Sequence, residues 1–404
     1  MIRVVGRWTR RLAPWNWLWA IRVRRWARRT VLALVVLLAA LAIFITLTPQ
    51  GRTAFHTALF VSQVLDLPFK PQSWFTAQPV RQQVTYPRAE GTGVADVYRA
   101  SDEAGGTPRA AVLIFLGANA AGPDDKDVVN LGNALARAGF VTMFHWSPTM
   151  ALRHNIDPNE IENLVRAFQF LSDQDFVDPQ RVGLGGFCVG ASFALVAAAD
   201  ARIRDNVVFV NAFGPYYDGR DLLLQLATRS RFFDDRREPW QPDQLTLRVF
   251  ANELIETLQD PRDKQLMTRL FLEGAAVPEE ARAGLSNQAQ QIRKLLEGTS
   301  LGEAERVYQA LPSGFRQDME RISPSAHLPD LKARVAIMHD RNDRLVPSVE
   351  SRRLYQAMES RGDVRYTEVV AFDHVRPSAA GLWQAAQEGF RLYRHMYSII
   401  REAH

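Results

Sequence analysis

Cys188 is the only cysteine among 404 residues, and it sits in Gly186-Phe187-Cys188-Val189-Gly190, where an apolar run gives way to a helical stretch. A thiol at a helix N-terminus is biased toward the thiolate by the dipole and the N–H groups there. Two other segments carry groups that complete a nucleophilic reaction. MHDRNDRLVP (338–347) holds Asp340 and Asp343 where an apolar run ends, and Phe372-Asp-His-Val375 holds His374 after another. Thiol, carboxylate and imidazole are the parts of covalent acyl transfer: a nucleophile, a proton acceptor and a group that orients the acceptor. Each segment alone is a weak signal. All three at the C-terminal ends of strand-like runs are a strong one, because ligand sites of open α/β sheets lie at that edge. A buried, inert Cys188 is the competing reading.

The elements that must position these groups are visible as alternation. AVLIFLG (111–117), FVTMFHW (140–146), RVGLGGF (181–187), NVVFVNAF (206–213), RVAIMHD (334–340) and RYTEVVAF (365–372) are short apolar runs rich in β-branched residues. Such runs fit strands buried on both faces. Helical stretches at 125–138, 158–173 and 188–200, and a last one from 379 to near 400, lie around them. The pattern predicts an α/β fold with a doubly wound, mostly parallel sheet, built from 106–213 and 331–404. Residues 214–330 break the alternation with amphipathic helical runs at 244–258, 262–272 and 278–296. A stretch of that length is too long for a structureless loop, so a helical cap inserted between two strands is expected. Residues 49–105 read as a linker and first strands, with a strand at 94–98. Prolines 49, 68, 71, 79 and 87 argue against long helices there.

The N-terminus differs from the rest. Residues 31–47 form an uncharged apolar run of 17, extended to 19 by Thr30 and Thr48. As a helix this spans roughly 26–29 Å, the thickness of a bilayer's hydrocarbon core. Nine arginines and five tryptophans precede it within residues 1–29, with no acidic residue. That composition suits a cytoplasmic arm on anionic headgroups, and the charge asymmetry places the remainder across the membrane. A cleaved signal peptide is the alternative, but the charged region is long and no A-x-A site follows the run. Without this arm the chain has 40 basic and 44 acidic side chains, so its body is not built to bind nucleic acid.

Asp178-Pro-Gln-Arg-Val-Gly-Leu-Gly-Gly-Phe-Cys-Val-Gly-Ala-Ser192 resembles the nucleophile elbow of α/β-hydrolases, in which a strand ends in Gly-x-nucleophile-x-Gly and a helix follows. The elbow holds its nucleophile in a strained turn, so its neighbours in space must lack side chains. The 338–347 segment looks like the H-G-x-x-D-x-x-V-P stretch that carries the acidic triad member, which puts Asp343 at the matching position. Asp340 replaces the usual glycine and is a second candidate. His374 stands where the family keeps its base, and the order nucleophile, acid, histidine is that of the fold. The resemblance implies an oxyanion hole from the N–H groups of Val189 and Ala118. Leu116-Gly117-Ala118-Asn119 departs from the His-Gly common in relatives; Asn119 offers either a side-chain donor or a plain turn residue. Phe187 adjoins the nucleophile. Phe213, Tyr216 and Tyr217 open the insertion, where they either line the substrate pocket or belong to ordinary core. His145, at a strand end, is placed to line the pocket; His327 and His339 read as structural. No cluster has convincing metal-ligand spacing.

Within the superfamily the cysteine resembles that of dienelactone hydrolases, over about 110–213 and 331–400. This implies hydrolysis of an ester or lactone through a cysteinyl acyl-enzyme, with no cofactor. Those enzymes lack a cap and an anchor, so their substrate does not carry over. Polyhydroxyalkanoate synthases are a second resemblance. They too pair a cysteine elbow with a cap, and the separations here, 155 residues from Cys188 to Asp343 and 31 on to His374, are compatible. Gly-Ala-Ser in place of Gly-Gly-Thr, and an extracytoplasmic body, rank that reading second. The expected partners are a small acyl ester or thioester and, through the N-terminal helix, a lipid bilayer. A membrane-tethered binding module that kept the fold and lost catalysis is the reading from another class.

Overall fold

The computed structural model describes residues 15–65, 70–101, 106–118, 121–234, 236–370, 372–373, 376–377 and 382–404. The chain divides into two compact units, Met1–Phe55 and His56–His404.

In the first unit one helix, α1 (Trp15–Leu47), runs unbroken through the end of the arginine-rich arm and the apolar run. The arm's described part is therefore a continuation of the same helix. Arg22–Leu47 is 26 residues long and contains an 18-residue stretch of mean hydropathy 2.9 with no buried residue, so it is long and apolar enough to cross a membrane. A second helix, α2 (Pro49–Val64), begins one residue later. It corrects the expectation that prolines exclude long helices after residue 48. Pro49 occupies the first helical position, where a missing N–H costs nothing, and the next proline lies beyond the helix end.

The second unit is built on eight strands: β1 (Pro79–Pro87), β2 (Thr92–Ala100), β3 (Arg109–Phe115), β4 (Val141–His145), β5 (Val177–Phe187), β6 (Val207–Phe213), β9 (Arg334–Asp340) and β10 (Val364–Val369). A small hairpin, β7 (Ser230–Phe233) with β8 (Arg236–Pro239), lies between β6 and β9 in the chain. The sheet order is β1-β2-β4-β3-β5-β6-β9-β10. Only β2 runs against the rest. This is a mostly parallel, doubly wound α/β sheet.

Helices cover both faces, because continuous apolar strands leave neither face fit for water. After the short α3 (Gln72–Phe75) come α4 (Lys126–Arg137), α5 (Pro148–Arg153), α6 (Glu160–Ser172) and α7 (Val189–Ala198). The central strand β5 is followed directly by α7, which is buried from Gly190 to Ala198. Leu164, Phe168, Phe193 and Leu354 belong to the core of one face; Leu135, Leu392 and Met396 belong to that of the other. Among the described residues between β6 and β9 stand the hairpin, two short 3-10 turns (Pro324–Ala326 and Leu328–Asp330) and seven α-helices: α8 (Gly219–Thr228), α9 (Gln244–Glu256), α10 (Pro261–Phe271), α11 (Glu279–Ala283), α12 (Asn287–Glu297), α13 (Leu301–Ala310) and α14 (Ser313–Arg321). Two further helices, α15 (Ser348–Met358) and α16 (Leu382–Ile400), follow β9 and β10.

Two buried carboxylates tie loops to this frame. Glu350 of α15 accepts the N–H groups of Tyr217 and Asp218 at 3.0 and 3.1 Å, and the Gln225 amide at 2.7 Å. It fastens the chain as it leaves β6 and also the helix α8. Glu160 of α6 accepts from Ser147 Oγ (2.7 Å), Arg88 (2.6 Å) and Asn163 Nδ2 (3.0 Å), and meets His145 Nε2 at 2.7 Å. His145 Nδ1 in turn meets the Tyr86 hydroxyl. Burial acts to raise the Glu160 pKa; the hydrogen bond and charge of His145, then Ser147 and Arg88, overcome it and bring it down to about 2. The folded-state pKa lies below the ordinary 4.5, so this stabilisation is complete above that value and is lost as pH falls toward 2. Glu160→Gln leaves Arg88 without its counter-charge and should cost about 3 kcal/mol. Urea unfolding at pH 7 measures the loss, and the mutant's deficit should shrink as pH falls below 4.

Candidate active site

β5 ends at Phe187, and Cys188 turns the chain into α7 with φ +53° and ψ −128°, a conformation costly for a side-chain-bearing residue. The Cys188 N–H donates to Phe213 O at 2.8 Å, and its carbonyl accepts from Ala191 at 3.0 Å. Close backbone packing makes room for the turn. A Cβ on Gly190 would lie 2.3 Å from Phe115 O, one on Gly186 would lie 2.4 Å from Gly190 O, and one on Gly117 would lie 2.5 Å from Gly190 N. Gly117 also has φ +67°, so no other residue fits there without strain. The glycine spacing visible in the sequence is thus a requirement of α7 lying against the end of β3.

The acid loop follows β9. Asp343 Oδ1 accepts the N–H groups of Leu345 (2.6 Å) and Val346 (3.2 Å), and Oδ2 lies 3.5 Å from His339 Nε2. His339 is fully buried. Its Nδ1 meets Ser351 Oγ at 2.6 Å and its Nε2 meets Val346 O at 3.0 Å, so it braces the loop that presents Asp343. Trp240 Nε1 holds the Asp343 carbonyl at 3.1 Å. Burial would raise the Asp343 pKa, but the His339 hydrogen bond and charge and the two N–H groups hold it below the ordinary value. Asp343 is therefore a carboxylate. Asp340 is buried, and its Oδ1 accepts the Asn342 N–H at 2.7 Å; it is not among the residues lining the cavity described next.

Cys188, Val189, Ala118, Phe187, Tyr216 and Asp343 all line one cavity of about 370 Å³, within the size range of small-molecule sites. The Ala118 N–H has no hydrogen-bond partner among the described residues. Phe213 lines the cavity, whereas Tyr217 does not: Arg353 lies over its ring at 5.3 Å. Tyr216 is buried, with its hydroxyl on Ile322 O at 2.8 Å. His145 does not line the cavity either, being enclosed in the Glu160 network. His374 and Asn119 lie outside the described residues.

Over the cavity runs α9, which the sequence shows only as an amphipathic stretch. Near its start the Asp243 N–H donates to Arg344 O (2.7 Å) and Thr246 Oγ1 to Leu345 O (3.0 Å), both in the acid loop after β9. Near its end Asn252 Nδ2 donates to Arg153 O (3.0 Å) and His154 O (3.2 Å), and Glu253 Oε1 accepts the Ile156 N–H (2.6 Å), beyond β4. The 13-residue helix is about 20 Å long, and four strand spacings from β9 to β4 come to about 19 Å. It crosses the sheet's C-terminal edge above the elbow, turning Thr246, Val249, Phe250 and Glu253 to the cavity.

The thiol itself corrects one expectation. Burial first, then the Asp343 charge, push the Cys188 pKa up to about 12, only partly opposed by the Val189 N–H. The helix N-terminus does not outweigh the apolar surroundings, so at neutral pH the resting group is a thiol.

No protein-family model and no curated protein matches this chain. Among solved structures it is similar to the acylaminoacyl peptidase of Pyrococcus horikoshii, with 11% identity over 80% of this chain and 41% of that one, and a TM-score of 0.44. It is also similar to an esterase of Pyrobaculum calidifontis (15%, 87% and 92%, TM-score 0.44) and to a puromycin-hydrolyzing peptidase of Mycobacterium tuberculosis (15%, 84% and 40%, TM-score 0.46). The chain spans about two fifths of the length of these peptidases.

A thiol pKa near 12 makes the alkylation rate a direct readout. Iodoacetamide should label Cys188 slowly at pH 7, with the rate climbing about tenfold per pH unit through pH 10, as the thiolate fraction does. Asp343→Asn removes the opposing charge and should speed labelling. A fast, pH-independent rate would mean a resting thiolate.

Proposed function

We propose that the chain is a membrane-anchored hydrolase that cleaves an ester, lactone or thioester through Cys188, with His374 as the base and Asp343 as the acid that orients it. The observation that carries this reading is Cys188 at φ +53° between Gly186 and Gly190, opening on a cavity that Asp343 also lines. A strained turn between two glycines, at the junction of a strand and a helix, is the arrangement by which an elbow presents its nucleophile.

In this mechanism His374 takes the Cys188 proton as the sulfur attacks the substrate carbonyl, since the resting thiol is not ionised. The tetrahedral oxyanion is met by the N–H groups of Val189 and Ala118. The C–O or C–S bond of the leaving group breaks, and the departing group takes its proton from His374. Water then gives a proton to His374 and its oxygen to the thioester carbon, releasing the acid and restoring the thiol. Asn119, Phe187 and Tyr216 border the substrate in this reading, and the helices between β6 and β9 form its cap. The nine arginines before the apolar run keep the N-terminus cytoplasmic and put the hydrolase body on the other side.

The raised thiol pKa favours a second reading, a non-catalytic binding module in which Cys188 is inert. Hydrolysis of p-nitrophenyl butyrate by the full chain in neutral detergent separates the two. Cys188→Ala should fall to background, and His374→Ala should lose 10²–10⁴-fold in kcat, about the worth of a positioned base. An acyl adduct on Cys188, seen by mass spectrometry, should accumulate when hydrolysis is slowed. Full activity in Cys188→Ala would end the catalytic reading.

A further inference from the structure

The cavity wall contributed by α9 carries a carboxylate that the reaction above does not use. Glu253 accepts one hydrogen bond, from the Ile156 N–H to Oε1, and among the described residues no cation pairs with it. The charges around it are acidic: Glu256 on α9, Asp318 on α14 and Asp157 ahead of α6. Two of the acidic neighbours have cations of their own, Glu256 pairing with Lys264 of α10 at 2.9 Å and Asp318 with Arg321 of α14 at 3.5 Å. Burial pushes the Glu253 carboxyl up to about 7; the Ile156 N–H opposes the shift and the three acidic neighbours add to it.

The rest of the lining points the same way. Asp243, Glu253 and Asp343 are its carboxyl groups, and among the described residues it contains no Lys, Arg or His. Phe187, Phe213, Tyr216, Phe250 and Phe315 add aromatic rings to a wall that is otherwise mostly aliphatic. A carboxylate with no paired cation, in a cavity that also holds aromatic rings, attracts an organic cation, above all a substituted ammonium group, whereas an anionic ligand meets repulsion. Glu253 also stands apart from Asp343, at the opposite end of α9, so it can receive a group remote from the reacting carbonyl.

We propose that Glu253 is a specificity residue that selects substrates bearing a substituted ammonium group and disfavours anionic ones; that the selected molecule is an acyl substrate rests on the Cys188 reading above. Phosphate-rich thioesters are accordingly poor ligands for this cavity.

The test compares butyrylthiocholine with its neutral carbon isostere, 3,3-dimethylbutyl thiobutyrate. Binding of each to the full-length Cys188→Ala chain in neutral detergent is measured by calorimetry, with and without Glu253→Gln. The glutamine keeps an oxygen for the Ile156 N–H and removes only the charge. The thiocholine ester should bind at least tenfold tighter, and Glu253→Gln should bring the two within about threefold. Equal affinities, no binding of either ester, or a margin that survives Glu253→Gln would overturn the proposal. Turnover by the intact chain reports on the catalytic reading alone. A cation margin without Cys188-dependent hydrolysis removes the acyl chemistry and keeps the preference; Cys188-dependent hydrolysis without a margin does the reverse.

Discussion

The tightest constraint in the molecule is the backbone contact among Phe115, Gly117, Gly186 and Gly190. Three positions there have no space for a Cβ, because each would come within about 2.5 Å of a backbone atom. The contact fixes how far α7 reaches over the ends of β3 and β5, and with it where the thiol stands. A positive φ at Cys188 costs of order 1–3 kcal/mol. It persists because α7 is buried from Gly190 to Ala198 and the Cys188 N–H is committed to Phe213 O. Neighbouring strands, helix and turn therefore hold one another in place, and a single methyl group at Gly190 would unsettle all of them.

Two buried carboxylates extend that order outward. Glu350 gathers the chain leaving β6, and Glu160 gathers Tyr86, Arg88, His145 and Ser147 from the sheet's other flank. Both are satisfied by several donors, which is what makes a buried charge tolerable. The α/β frame is thus pinned on either side of the turn at Cys188, and the Asp343 loop gains a further brace from His339.

Much of this frame was legible in the sequence, for physical reasons. The central strands are continuous apolar runs, and β3, β4, β5, β6 and β9 carry that signature because water reaches neither face. β1 was not legible: PVRQQVTYP is mostly exposed and has no alternation to read. Pro49 misled, since a proline's effect depends on whether it stands inside a helix or at its first residue. The elbow and the Asp343 loop were visible as local motifs. The high thiol pKa, the enclosure of His145 and the place of Glu253 were not, because burial and distant neighbours create them and no local spacing encodes them.

The helix α9 has a consequence for traffic through the cavity. It is secured at both ends, by two hydrogen bonds to the acid loop and three to the chain beyond β4. At about 1 kcal/mol apiece, these bonds set a barrier of several kcal/mol against raising the helix as a whole. The helix is a lintel rather than a door. Side chains of the cavity wall, Phe315 and Met319 of α14 among them, are the parts left to adjust to a guest. The breadth of what can enter is then set by rotamers in an aperture of nearly constant height, which favours slender, flexible guests over bulky, rigid ones.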